Sequence, residues 1–353
     1  MARDLHTAKL SKKDEFYTQL SDIEREMKHY KNYFRNKTVY CNCDDPRISN
    51  FFHYFSYNFE KLGIKKLMTT CYKNQEMDLF SLNSSEQAIH LEYTGDRNGD
   101  NVPNINEIGI KHLKGDGDFR SKETIELLKE ADVVVTNPPF SLFREYISQL
   151  IEYEKDFIII GNVNAISYKD IFKLIKADKV WLGASIHSGD REFGVPDDYP
   201  LNAAGFRIDI DGKKYIRVKG VRWFTNIDYV ERHEDLILYK NYSPEYYQKY
   251  ENFDAINVNK TNEIPCDYTG LMGVPITFLD KYNPDQFEIV GLGIANLGLE
   301  IGVKPYKEEH KKYRKEVQKR GAVDGDLYMI VNGIVDVPYA RIIIRNKKIG
   351  AKK

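Results

Sequence analysis

The sequence predicts an α/β protein: a doubly wound, mostly parallel sheet that ends in an antiparallel pair, followed by a smaller loop-rich module. Three observations predict it. Short all-apolar runs alternate with amphipathic helical stretches through the first half of the chain, the pattern of a parallel sheet covered on both faces. Asp211-Gly212, a strong two-residue hairpin signal, then interrupts the alternation. From about residue 240 the chain is rich in Asn, Tyr, Pro and Gly, with few helical runs. At 353 residues it is comfortable for two domains, and the composition shift places them at 1–239 and 240–353.

The elements follow in order. MARDLHTAKLSKK reads as a loose basic arm, and residues 14–34 as a helix from their apolar spacing. TVYCNC (38–43) reads as a strand and RISNFFHYFSYNFEKLG (47–63) as a helix stopped by Gly63. KKLMTTCY (65–72) is a second strand. Residues 73–110 are polar and carry one strand, AIHLEYT. HLKGDGDF reads as a short strand and loop, and SKETIELLKEA as a helix opened by Ser121. DVVVTN, SLFREYISQLIEYE, DFIIIGN and YKDIFKLIKA continue as strand, helix, strand, helix. FRIDI-DG-KKYIRVKGVRWFTN (206–226) reads as two strands around the turn. In the second module YKEEHKKYRKEVQKRG (306–321) is a basic helix, and Gly291-Leu-Gly293 reads as a loop, because no helix clearly follows it.

No stretch approaches the ~18 apolar residues of a membrane span, and no leader is evident, so the expectation is a soluble cytoplasmic protein with no membrane contact. Cys41, Cys43, Cys71 and Cys266 have no Cys/His partners at zinc spacing. They read as reduced buried thiols, and no metal site is expected. The formal net charge is -1, so any polyanion must be held by local patches rather than a global field.

The sharpest signal is Asn137-Pro138-Pro139-Phe140, directly after Val133-Val134-Val135-Thr136. It lies where open α/β sheets place their ligands, beyond the carboxyl end of a strand. Each proline fixes its own φ and has no N–H, and Asn137 is kept out of the helical region by the proline after it. A carboxamide and a bare carbonyl are thus held beside an aromatic ring. That set suits a planar, weakly nucleophilic NH₂ group, whose hydrogens the Asn137 oxygen and the Pro138 carbonyl can accept. Phe140 can stack on the ring that bears the amine.

A strand ending in Asn-Pro-Pro-Phe resembles the catalytic motif of S-adenosylmethionine-dependent amino methyltransferases. The wider sequence is similar to the EcoRI-type adenine-specific (N6) DNA methyltransferase family. DEFYTQ (14–19), VYCNCDDPRISNFF (39–52), GDGDFRS (115–121), VVTNPPFSLFREY (134–146), IHSGDREF (186–193) and VKGVRWFTN (218–226) carry the match, and stretches between 240 and 278 extend it. The resemblance implies a Rossmann-like S-adenosylmethionine-binding catalytic domain followed by a C-terminal DNA-recognition module. It also implies base flipping on double-stranded DNA, and GAATTC as the first site to test. Asn137 to Phe140 would be the catalytic tetrapeptide. Tyr17, Thr18, Asp44, Asp45, Asp116 and Asp118 would border the cofactor. The glycine-rich turn that most methyltransferases carry after the first strand is absent, because no glycine lies between Thr38 and Leu62. Asp44-Asp45-Pro46 also reads as a helix cap.

For DNA contact the candidates are Arg191, the arm lysines Lys9, Lys12 and Lys13, and the basic-helix cations Lys311, Lys312, Arg314, Lys315, Lys319 and Arg320. Trp223 or Phe224 is a candidate wall of the base pocket, with core packing the competing reading. Pro196-Asp197 with Asp211-Gly-Lys213 fits a nuclease motif loosely, but Asp211-Gly212 is better explained as the turn. The expected assembly is a monomer, with a restriction endonuclease as a partner only through a shared site. Two other functions stay open: the same transfer to RNA or a protein glutamine, and a DNA-binding protein without catalysis.

Overall fold

Residues 16–43, 49–70, 88–99, 103, 107–187, 189–195, 199 and 205–348 are described by the structure, a computed structural model. The chain divides into two compact units, Met1–Ala165 with Leu182–Tyr229, and Ile166–Trp181 with Val230–Lys353.

The first unit opens with β1 (Tyr17–Thr18) and α1 (Leu20–Met27). The expected helix over 14–34 is therefore shorter. Tyr17 and Thr18 pair instead with Gly194 and Phe193, and the chain leaves the helix after Met27 in a series of turns. Glu26 on α1 is fully buried. Its carboxylate accepts from Tyr30 Oη at 3.0 Å and from the Ala184 and Ser185 amides at 2.9 and 2.8 Å, which supplies the hydrogen bonds a buried charge needs.

The apolar runs then build the sheet: β2 (Thr38–Cys41), α2 (Asn50–Tyr57), α3 (Phe59–Leu62), β3 (Lys66–Thr70), β4 (Ile89–Tyr93), β5 (Ile108–His112), α4 (Lys122–Glu130), β6 (Val133–Thr136), α5 (Phe143–Glu152) and β7 (Asp156–Asn162). Ser49 and Ser121 cap α2 and α4 through their hydroxyls, and Gly63 ends α3 in the left-handed region at φ 64°. After α6 (Lys169–Lys176), which groups with the second unit, come β8 (Trp181–Leu182), β9 (Asp190–Val195), β10 (Arg207–Ile208), β11 (Lys214–Lys219) and β12 (Val221–Thr225).

The large sheet has the order β5-β4-β3-β2-β6-β7-β12-β8. Its centre, β3, β2, β6 and β7, is parallel. Val39, Val133, Val135, Ile158 and Ile160 share one buried cluster with Ile23, Met27, Phe51 and Phe55 of α1 and α2. α4 and α5 contact β2 and β7. The antiparallel run of β12 on β7 agrees with the expected antiparallel end of the sheet, but the sheet is more mixed than expected, because β4 and β5 return antiparallel. Residues 73–110 lack the alternation with amphipathic helices that signals parallel crossovers, so the orientation of β4 and β5 had no signature.

Two local expectations are corrected. The strand placed at the start of HLKGDGDF lies mainly upstream, at Ile108–His112, and residues 113–118 are loop. The segment 206–226 holds three strands, not two. β10 and β11 pair across the longer connection 209–213 (Ile208↔Lys214), then the chain reverses at Gly220, φ 70°, into β12. β10 and β11 belong to a separate sheet of order β1-β9-β11-β10, and only β12 joins the large one.

The second unit holds a four-stranded sheet of β13 (Ala255–Asn257), β14 (Leu271–Pro275), β18 (Arg341–Asn346) and β15 (Phe287–Gly293), in that order. β16 (Met329–Val331) pairs with β17 (Ile334–Asp336). Gly291 and Gly293 lie in β15, not in a loop, and α7 (Ala295–Glu300) follows. Close packing explains them, since a Cβ would sit 2.4 Å from Ile301 Cγ2 or 2.3 Å from Leu327 Cδ1. The basic helix is α8 (Glu308–Glu316). Among the described residues no helix is long and apolar enough to cross a membrane. Cys41 is buried, but Cys43 and Cys266 are only partly so, against the expectation of buried thiols; Cys71 lies outside the described residues.

Candidate active site

β2 has β3 on one side and β6 on the other, which makes the carboxyl ends of β2 and β6 a topological switch point, the place where open α/β sheets bind ligands. Side chains tie these two ends together. The Thr136 hydroxyl donates to the Asn42 carbonyl. Tyr146 of α5 donates its hydroxyl to Asn42 Oδ1. Burial pushes the Tyr146 hydroxyl well above its ordinary pKa, so it remains a donor.

Asn137 follows Thr136 and is 6% exposed. Its Nδ2 donates to the Phe16 carbonyl at 2.7 Å. A carbonyl only accepts, so the NH₂ must face it and Oδ1 must face the other way. That Oδ1 is buried and has no hydrogen-bond partner among the described residues. Pro138 is buried as well. Pro139, at φ -54° and ψ 125°, leads into the 3₁₀ turn Phe140–Leu142, which the Leu142 amide closes onto the Pro139 carbonyl at 2.9 Å. The part-buried Phe140 ring stands edge-on to Phe16, centroids 5.7 Å apart.

The turn is anchored by Phe143, whose ring packs on Phe224 at 4.9 Å. It fits only because residue 161 in β7 is glycine: a Cβ there would lie 2.4 Å from the Phe143 ring.

Tyr17 and Thr18 lie next to this set. The Thr18 carbonyl accepts from Asn50 Nδ2, at the start of α2, at 2.7 Å. Thr18 Oγ1 is buried without a partner among the described residues. Tyr17 borders a cleft of about 520 Å³ with Asn50, His53, Lys213 and Tyr215. Asp44 and Asp45 lie outside the described residues.

Asp116 and Asp118 sit in the loop before α4. Asp118 is held below the ordinary carboxylate range, chiefly by the Arg120 side chain, whose Nε and Nη2 lie 2.8 and 2.6 Å from its oxygens. Asp116 Oδ1 accepts from the Asp118 amide at 3.0 Å. The next residue, Phe119, packs edge-on to Tyr146 at 5.0 Å. The loop therefore meets α5 at the residue that also holds Asn42.

The DNA-contact candidates divide. Arg191 is half-buried on β9, its Nε without a partner among the described residues, beside a cavity of about 730 Å³ lined by both signs of charge, Arg25 and Arg217 with Asp22, Asp190 and Glu192. Trp223 and Phe224 are 1% and 0% exposed. They face Ile160 and Ile159 of β7, so core packing describes both and neither has a face to offer a base. Arg314 is 9% exposed and bonds the Gly321 carbonyl, which makes it a structural cation. Lys311 pairs with Asp324, while Lys312, Lys315, Lys319 and Arg320 are exposed. Lys9, Lys12, Lys13, Pro196 and Asp197 lie outside the described residues, and Asp211 lies in the 209–213 connection.

The comparisons with known proteins agree with this geometry. The family model described as adenine-specific methyltransferase EcoRI matches residues 4–347. The chain belongs to this family. It is 47% identical over 347 residues to the Type II methyltransferase M.EcoRI of Escherichia coli, covering 98% of this chain and 97% of that one. It is 41% identical to the Type II methyltransferase M.MgeORF184P of Mycoplasma genitalium over 80% of this chain and 84% of that one. M.MpnI of Mycoplasma pneumoniae is 38% identical, over 80% and 83% of the two chains. No solved structure matches. The protein is a site-specific, adenine-specific DNA methyltransferase.

For this methyltransferase, sequence reasoning named Asn137–Phe140 but missed four supports: Phe16, Asn42, Asn50 and Tyr146. Asn42 carried a usable signal, a polar residue directly after an apolar strand. Tyr146 follows Phe143 at helical spacing and reads as core. The Phe16 contribution is a backbone carbonyl, which no side-chain pattern announces.

Proposed function

We propose that this methyltransferase transfers the methyl group of S-adenosylmethionine to N6 of an adenine turned out of duplex DNA, with GAATTC as the first site to test. One observation carries the reading: Asn137 has its NH₂ satisfied by Phe16 and its oxygen buried without a partner among the described residues. A buried acceptor left unpaired costs about 1–3 kcal/mol, and an incoming N6–H would recover that loss. Oδ1 and the Pro138 carbonyl would take the two amine hydrogens. They draw the nitrogen toward tetrahedral geometry and localise its lone pair for attack. As the N–CH₃ bond would form and the donor's S–CH₃ bond break, its electron pair staying on the sulfur, positive charge would develop on N6 between these fixed dipoles, and the N6 proton would then pass to solvent. Phe140 would stack on the base.

The residues around the switch point fit the cofactor, which when bound supplies an electrophilic methyl on a sulfonium. Tyr17 and Thr18, with the unpartnered Thr18 Oγ1, would hold it on one side, and the Asp116–Asp118 loop would border its adenine. Asp118 would act by ordering that loop, since its oxygens are taken by Arg120. Asp44 and Asp45 remain proposed cofactor neighbours. The sheet would then serve as a Rossmann-like catalytic domain within 1–239. Residues 240–353 would form the recognition module, with α8 offering exposed cations to phosphates. Arg191 would add a phosphate contact. We further propose a cytoplasmic monomer, linked to any restriction endonuclease only through the shared site.

Nucleoside mass spectrometry on DNA from a methylation-free host that expresses this chain tests the reading. N6-methyladenine with the wild type and none with Asn137→Ala is expected. DNA without methyladenine, from folded protein, would move the reaction to RNA or a protein amide, or remove it.

A further inference from the structure

We propose that Ile210, at the tip of the β10–β11 hairpin, is a wedge that enters the duplex and fills the space the target adenine vacates. The proposal rests on the reading that the adenine leaves the stack.

A lone exposed isoleucine needs no explanation. This one differs in how it is held. Ile210 is 102% exposed, and Ile208, two residues earlier, is 53% exposed. The connection that carries Ile210 is tightly bonded. The Asp209 amide donates to the Lys213 carbonyl at 3.0 Å, and the Gly212 amide to the Asp209 carbonyl at 3.1 Å. Asp209 Oδ1 accepts from the Asp211 and Lys213 amides at 3.0 and 2.9 Å, and Oδ2 from the Tyr215 hydroxyl at 3.0 Å. Gly212 supplies the positive φ, 80°, that the tip requires. A braced loop thus holds an apolar side chain wholly in water.

Its surroundings suit DNA. Lys213, Lys214 and Arg217 lie near the tip, against Asp209, whose carboxylate is consumed within the loop, and Asp211; Arg207 is paired with Glu192 through both of its terminal contacts. An apolar tip between cations is the arrangement that wedges a base step while phosphates hold it in place.

Its position suits the reaction. Tyr215 of β11 lies opposite Gly194 of β9, and Gly194 opposite Tyr17 of β1. The residue before Tyr17 is Phe16, whose carbonyl holds Asn137. The strand that carries one side of the hairpin is therefore joined by two strand pairings to the segment that holds the acceptor. Two strand spacings, roughly 10 Å, separate Tyr215 from Tyr17. Lys213 and Lys214 line the same cleft as Tyr17. The foot of the hairpin and Tyr17, which directly follows the Phe16 that holds Asn137, thus border one cleft.

The test uses the full chain and two duplexes of identical sequence, one fully paired and one with an abasic site opposite the target adenine. Unpairing and unstacking are already partly done in the second. On the paired duplex, Ile210→Ala should lower the single-turnover methylation rate about 10- to 100-fold, the scale of a lost base-stacking contact. On the abasic duplex the loss should be under about threefold, and Ile210→Leu should restore the paired rate. The side chain is fully exposed, so both variants should melt with the wild type. Equal losses on the two duplexes, or none on either, overturn the wedge and leave the methyltransferase reading intact. A wild-type oligomer in solution that Ile210→Ala dissolves also overturns it, in favour of a protein contact. A wild type that methylates neither duplex removes the adenine reading and the wedge with it.

Discussion

Replacing Asn137 by alanine tests the site most directly, because the side chain has two separable jobs. Its NH₂ closes a 2.7 Å bond to the Phe16 carbonyl, and its oxygen is held ready and unpaired. Deleting the carboxamide leaves the Phe16 carbonyl short of a donor at a part-buried position. That loss costs about 1–3 kcal/mol of stability, partly recovered if water enters. It also removes the burial penalty of Oδ1, so the net destabilisation should fall at the low end, about 1 kcal/mol. The catalytic loss should be larger. Removing one preorganised hydrogen-bonding partner of the developing charge costs about 10²- to 10³-fold in kcat, roughly 2.7–4 kcal/mol. Single-turnover methyl transfer from labelled S-adenosylmethionine to a duplex measures the second quantity, and a denaturant midpoint measures the first. DNA affinity, carried mainly by phosphate contacts, should be little changed. If Asn137→Ala turned over like the wild type, the amine would have another acceptor and the mechanism proposed here would be wrong.

Phe140→Ala should reduce base capture by ~1–3 kcal/mol, read as weaker 2-aminopurine brightening at the target position; unchanged brightening would assign the stacking ring elsewhere. Gly161→Ala should cost about 1–3 kcal/mol by overpacking, because the new Cβ would lie 2.4 Å from the Phe143 ring. It should also lower kcat, since Phe143 directly follows the catalytic turn, and an unchanged denaturant midpoint would refute the packing argument. For Asp118 the folded pKa is depressed, chiefly by Arg120. The stability it contributes is present above the unfolded value of about 3.9 and is lost as pH falls through the folded one. The stability gap between wild type and Asp118→Asn should hold steady from about pH 7 to 5 and close below about pH 4. A gap that survives at the acid end would mean the ion pair is not its source.

The sequence made the centre of the sheet legible because β-branched runs such as Val133–Val135 have one low-energy use, a strand buried on both faces. The proline pair after Thr136 was legible for a similar reason, since few structures tolerate it. What stayed hidden depends on partners remote in sequence. β1 looked helical because nothing local says that Tyr17 will pair with Gly194. The hairpin signal at Asp211-Gly212 located a reversal correctly but not the sheet that would receive it. Trp223 offered two readings of equal chemistry, and only its burial against Phe51 separates them. The pairing of Asn137 with Phe16 spans most of a domain's sequence and rests on a backbone atom.

The missing glycine-rich turn after β2 has a physical counterpart in the structure. Cys43, directly past the strand end, takes φ 77°, a left-handed conformation that costs a non-glycine residue roughly 1–2 kcal/mol. Something must hold it there, and Asn42 is placed to do so. Its carbonyl accepts from Thr136 and its Oδ1 from Tyr146, while Cys43 Sγ lies 3.6 Å from the same oxygen. The bonds to Thr136 and Tyr146 are made by groups on β6 and α5, the elements that also position the tetrapeptide. A glycine turn would be free to adopt the conformation alone. Here Asn42, the residue before Cys43, is held by groups on the catalytic strand and helix, so the described ends of β2 and β6 are tied together. Backbone strain of this kind concentrates at functional sites, where the surrounding structure over-determines it.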